Sequence, residues 1–269
     1  MPKNAGTGAK GANTKKECFY CETKNEETPR KKKDVEGCAI GNPDDLSRSI
    51  LNHCNGIKKW KHKFYSGGDS IQPHHIISSE SMKEDSFWLR FVHICGYSIN
   101  HWRNGIFLPS VLKVACNLEV PLHDSHHGAG KVGSTKYPTH VKKLVRKIKE
   151  EIIDGKHEYC EHPEKIRKKL DRKSELLLDK IAQFTITITG DGKDYAKGNP
   201  VGCGNVNSIS AKKKGEKAGQ KCTCRKKGQN HKIEGQPTKL EVAADVTGDK
   251  KIGRSFTYYP KHKPLKIGT

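Results

Sequence analysis

Residues 71–77 read Ile-Gln-Pro-His-His-Ile-Ile, and residues 104–109 read Asn-Gly-Ile-Phe-Leu-Pro. Pro73 and the two isoleucines that close the first stretch disfavour helix, so it is expected to be a short extended segment. Asn104-Gly105 opens the second as a turn into a short apolar strand that Pro109 ends. A third block, residues 121–128, reads Pro-Leu-His-Asp-Ser-His-His-Gly and gathers His123, His126 and His127. The three blocks lie within about 55 residues of one another, and together they suggest a site rather than scattered histidines.

The chemistry follows from side-chain direction. Successive residues of a strand point to opposite faces. Of His74 and His75, one can therefore face a metal ion while the other faces a substrate water. His123 and His127, four apart, share a helical face and can close on the same ion. His126, at three apart, remains an alternative on that face. Three histidines with open coordination positions suit a catalytic metal. A phosphodiester can bring a non-bridging oxygen and its leaving 3′ oxygen to such an ion, which acts as Lewis acid. A histidine outside the ligand set, with an ordinary pKa of about 6.5, suits general-base activation of water. An asparagine can fix that ring's tautomer by hydrogen bonding.

Working outward, Asp44-Asp45 is expected to cap a short helix bearing Leu46, Ile50, Leu51 and Cys54, stopped at Gly56. Residues 57–65 read as a strand or a basic loop, and residues 80–95 carry a helical stripe through Phe87, Phe91 and Ile94. Pro138 and Thr139 open a helix with Val141, Leu144, Val145, Ile148 and Ile152 at helical spacing, stopped at Gly155. A second helix runs from Pro163 to about Ala182. Residues 184–189 (Phe-Thr-Ile-Thr-Ile-Thr) alternate as a strand, with Gly190-Asp191-Gly192 as its turn and further short strands at 238–243 and 255–259. Three regions result: a basic N-terminal arm (1–56), a central domain (57–183) and a β-rich, basic C-terminal region (184–269).

The chain carries a net charge of +21 over 269 residues. Such a field attracts polyanions, nucleic acid foremost, and an acidic protein partner by the same means. Lys142, Arg146 and Lys149 fall on the outer face of the 139–154 helix, where they either follow a phosphate backbone or form an ordinary solvated face. No apolar run approaches the length of a membrane span. Residues 1–17 hold no apolar signal core, so the expectation is synthesis in the cytoplasm and any export by a signal-independent route. Of ten cysteines, Cys18 and Cys21 form a C-x-x-C that can hold a structural zinc. Cys222 and Cys224 form a C-x-C, and the other six stand alone in the sequence.

The three blocks resemble the HNH (ββα-metal, His-Me finger) endonuclease superfamily, and within it the AHH branch found as toxin domains of bacterial polymorphic toxins and type VI effectors. The likeness rests on His74-His75-Ile76-Ile77, on Asn104 to Pro109, on His123 with His126 or His127, and on Tyr137 leading into a helix. It covers about residues 70–150. Pro73 stands where the branch name puts alanine, and the stretch from His127 to Tyr137 is longer than usual. The resemblance implies an α+β fold with a ββα-metal core and flanking helices. It implies His74 as a metal ligand, His75 as the general base and Asn104 as the motif asparagine. His123 and His127 complete the ligands, with His126 as the alternative.

The function implied is metal-dependent hydrolysis of DNA phosphodiesters with little sequence specificity, using Mg, Mn, Ni or Zn. The branch further implies an antibacterial toxin with an acidic immunity protein and a secretion-system partner. An RNase on the same scaffold and a non-enzymatic, zinc-containing nucleic-acid-binding protein are the alternatives.

Overall fold

Two strands form the centre: β3 (Ile71–His75) and β4 (Gly105–Pro109). They pair antiparallel, with Ile71 opposite Pro109, His74 opposite Ile106 and His75 opposite Gly105. The computed structural model describes residues 16–17, 24–25, 39–62, 65, 70–123, 131–132, 135–155, 158–159, 162–196, 198–214, 221–222 and 268. Among these, short strands β1 (Lys16–Glu17) and β2 (Lys24–Asn25) pair with each other, as do β5 (Lys131–Val132) and β6 (Thr135–Lys136). The helices are α1 (Pro43–His53), α2 (Ser86–Ile94), α3 (Leu112–Leu118), α4 (Tyr137–Asp154), α5 (Pro163–Ala182) and α6 (Ile209–Lys213). The architecture is thus α+β: small antiparallel sheets among helices.

The central pair is buried on both faces, which is why β4 is apolar throughout. Ile106 and Leu108 join Ile76 in the larger core with Phe87, Trp88 and Phe91 of α2, Val141 and Val145 of α4, and Ile166 and Leu170 of α5. Phe107 points the other way, into a second core with Ile71, Leu46 and Ile50 of α1, and Val114 of α3. This is the period of two of a strand expressed as two cores. Gly105 is required by the close approach of α1, because a Cβ there would lie 2.5 Å from Leu46 Cδ1 and 2.9 Å from Ile50 Cδ1.

Pro73 leaves the ladder intact. Ile76 N–H donates to Asn104 O at 2.9 Å and Ser110 N–H to Ser70 O at 2.9 Å. Bonded pairs alternate with unbonded ones along an antiparallel ladder. The Pro73–Phe107 pair therefore falls at an unbonded position, where no donor is needed.

Three local expectations change. The cap of α1 is Asn42, whose Oδ1 accepts from Asp44 N–H at 2.9 Å and Asp45 N–H at 3.3 Å, while the two aspartates occupy the first turn. Residues 80–95 are shortened to α2, because Asp85 caps the helix by accepting from Phe87 N–H at 2.9 Å. Residues 184–189 form no strand. Phe184 takes a left-handed φ of 57°, and the N–H groups of Thr185 and Ile186 turn back to Lys180 O as α5 ends. Ile186 and Ile188 then enter the larger core. The alternation of residues 184–189 thus marks a buried turn. The strands expected at 238–243 and 255–259, and the Cys18/Cys21 pair, lie outside the described residues. No described helix is long and apolar enough to cross a membrane.

Candidate active site and metal centre

β3 delivers His74 and His75 to different surroundings. Gln72, His74 and Ile76 alternate onto the side of the larger core, and His74 is only 1% exposed. The turn after α3 brings back His123, whose N–H donates at 2.8 Å to the O of Pro109, the last residue of β4. The imidazoles of His74 and His123 meet edge to face, with ring centroids 5.0 Å apart and planes at 62°. Gln72 Oε1 lies 3.2 Å from His123 Nδ1. An amide oxygen only accepts, so Nδ1 carries the proton and the ring's lone pair is on Nε2. A histidine so oriented could serve as a metal ligand, with its supporting partner in place. Tyr137, at the start of α4, closes this side. Its ring centroid is 5.8 Å from that of His74, and its hydroxyl donates to Ile76 O. Full burial pushes the phenol well above its ordinary range, so it stays a donor. Two converging imidazoles with a fixed tautomer fit a divalent metal.

His75 faces away from this pair and is half-buried. Its Nε2 is 2.8 Å from Asn100 Oδ1. Asn100 Oδ1 also accepts from Asn42 N–H at 2.8 Å, and Asn100 Nδ2 donates to Ile40 O at 3.0 Å. These contacts establish Oδ1 as an acceptor, so His75 Nε2–H donates and the lone pair is on Nδ1. Gly41 completes this wall. A Cβ there would lie 2.7 Å from Ser79 Cβ and 3.4 Å from His75 Cε1.

Asn104 is fully buried and its side chain is committed elsewhere. Oδ1 accepts from Ile77 N–H at 2.7 Å and from Ser174 Oγ–H at 2.9 Å. Nδ2 donates to Ile77 O and Ile99 O, each at 3.0 Å. Asn104 therefore clamps the exit of β3 to the entry of β4 and to α5, and the ring partner of His75 is Asn100. His126 and His127 lie outside the described residues.

The basic face of α4 is engaged by carboxylates. Lys142 Nζ lies 3.3 Å from Glu84 Oε2, and Arg146 Nε lies 3.5 Å from Glu150 Oε1, both on exposed surface. Lys149 is half-buried, 2.9 Å from Asp85 Oδ2 and over the Phe87 ring at 5.2 Å. Exposed pairs of this kind are weak enough for phosphate to compete. Lys149 instead braces the cap of α2.

Sequence reasoning passed over Asn100 and Gln72. Gln72 carries a signal, standing two residues before His74 and so on the same strand face. Asn100 carries none.

Residues 56–184 match the family model of AHH, a nuclease family of the HNH/ENDO VII superfamily with conserved AHH. No curated protein and no solved structure matches the chain. The family match covers β3, β4 and α2 to α5, and with them His74, His75, Asn100, Asn104 and His123, while α1 and the residues 40–42 that hold Asn100 precede it. Residues 56–184 belong to the AHH nuclease family of the HNH/ENDO VII superfamily.

Proposed function

We propose that the protein is a divalent-metal-dependent endonuclease that hydrolyses DNA with little sequence preference. The observation that carries this is the division of adjacent histidines: His74 converges with His123, while His75 is held apart by Asn100. His74 and His123 would hold the metal, with His127 or else His126 as the further ligand. When bound, the ion supplies Lewis-acid stabilisation of the phosphate and of the leaving 3′ oxygen. His75 accepts the proton of the attacking water at Nδ1, a role worth typically ~10²–10⁴ in rate. Asn100 holds the ring in the required tautomer, and Asn104 fixes the backbone that presents both histidines.

Charge supports the substrate class. A net +21 favours a polyanion. A groove of about 790 Å³ walled by His101 and Trp102 is lined by Arg103, Arg167, Lys168 and Arg172, with Asp171 and Glu175 among them. Lys142 and Arg146 add a second basic strip. These groups suit phosphates rather than bases, in keeping with low specificity. The role of antibacterial toxin, with an acidic immunity protein and delivery by a secretion system, rests on the resemblance to AHH toxin domains.

The test is a nicking assay of the purified chain on supercoiled plasmid, with structured RNA in parallel. Nicking followed by a smear in Mg²⁺, Mn²⁺, Ni²⁺ or Zn²⁺, abolished by EDTA, is the expected result. Undiminished cleavage by metal-stripped protein would contradict it. Retarded but intact DNA would indicate a binding protein, and cleavage of RNA alone would move the substrate.

A further inference from the structure

Beyond the histidine site, three cysteines far apart in sequence meet. The Sγ atoms of Cys116, Cys203 and Cys222 all lie within 4.8 Å of one another. Cys116 comes from α3 inside the nuclease domain, while Cys203 and Cys222 come from the segment after α5, outside the family match. All three are buried, at 3%, 0% and 0% exposure. They sit in a third apolar cluster with Leu112, Ala115, Leu122 and Val206.

The spacing is that of a ligand set. Thiolates 2.3 Å from a tetrahedral zinc are about 3.8 Å from each other. Cys116 Sγ and Cys222 Sγ are 3.9 Å apart. A disulfide would need about 2.05 Å. The backbone presents the thiols deliberately. Cys203 stands between Gly202 and Gly204, with left-handed φ values of 57° and 61°, and Asn205 follows at 63°. Cys222 is tied in by its N–H, which donates to Val201 O at 2.8 Å.

We propose that Cys116, Cys203 and Cys222 bind a structural zinc ion, separate from the histidine centre, that fastens the segment after α5 to α3. On binding, each thiol releases its proton to solvent and no oxidation state changes. The fourth corner of the tetrahedron falls to a donor outside these three. The ordinary alternative is that the cysteines serve as small apolar residues of a core.

The test uses the full chain with the His74→Ala/His123→Ala double substitution, purified under reducing conditions and dialysed against zinc and then metal-free buffer. One zinc per chain should remain by elemental analysis. Cobalt exchange of this protein, and of the unsubstituted chain, should give a near-ultraviolet thiolate-to-cobalt charge-transfer band. Cys203→Ser and Cys222→Ser should each lose the metal and weaken that band. The unsubstituted chain needs no variant to fold, so absence of a thiolate–cobalt band there overturns the proposal. So does a zinc-free His74→Ala/His123→Ala protein, or a Cys116–Cys222 disulfide found by mass spectrometry. The readouts are metal content and absorption rather than cleavage, so failure of the nuclease reading leaves them standing.

Discussion

His75 and His123 are each held by a different side-chain amide. Gln72 sets the tautomer of His123 in the pair with His74, and Asn100 sets that of His75. These partners should separate in a metal titration followed by cleavage. Gln72→Ala should weaken metal binding by ~10–100-fold, the usual cost of losing a ligand's support. Asn100→Ala should leave metal affinity within a factor of a few and lower the cleavage rate at saturating metal by at least about tenfold. Equal loss of metal affinity in both would contradict the division. The split of His74 and His75 was legible, because a doubled histidine on an extended stretch is divided between faces by the period of the strand. Asn100 was not, since it reaches His75 across 25 residues of chain through a loop with no motif of its own. The sulfur cluster was hidden for the same reason, its members being drawn from positions 116, 203 and 222.

Among the elements, the connection of β3 to β4 depends most on a single side chain. Asn104→Ala would strand Ile77 N–H, Ile77 O and Ile99 O in the interior, each worth about 1–3 kcal/mol. Chemical denaturation should show a loss of at least about 3 kcal/mol. A variant of wild-type stability without activity would make Asn104 a participant in the chemistry instead. On α4, Lys142→Ala/Arg146→Ala should keep the melting temperature and reduce the slope of log K against log salt for duplex DNA by about 2. Lys149→Ala should lower the melting temperature instead, because Lys149 braces the Asp85 cap. The reverse pattern would assign the phosphate contact to Lys149. The long helices were readable because α4 and α5 keep a stripe at helical spacing between clear stops. Residues 184–189 misled because alternating Ile and Thr describe a strand, yet both residue types are buried where α5 turns back on itself.

The whole chain is a polycation, and its charge of +21 should govern encounter with substrate. Affinity for plasmid should fall linearly with salt on logarithmic axes, and a flat profile would assign the charge to another partner. Among the described residues, those that follow the family match pack onto it. Ile186 and Ile188 complete the larger core, and Tyr195, Cys203 and Cys222 cover α3. If adjacent residues of one strand divide metal holding from water activation, plasmid nicking by the His75→Ala chain, followed against divalent metal concentration, should show it. The half-saturating concentration should be that of the wild type, with a plateau ~10²-fold lower or more. A raised half-saturating concentration with the wild-type plateau would contradict it, making His75 a ligand rather than the base.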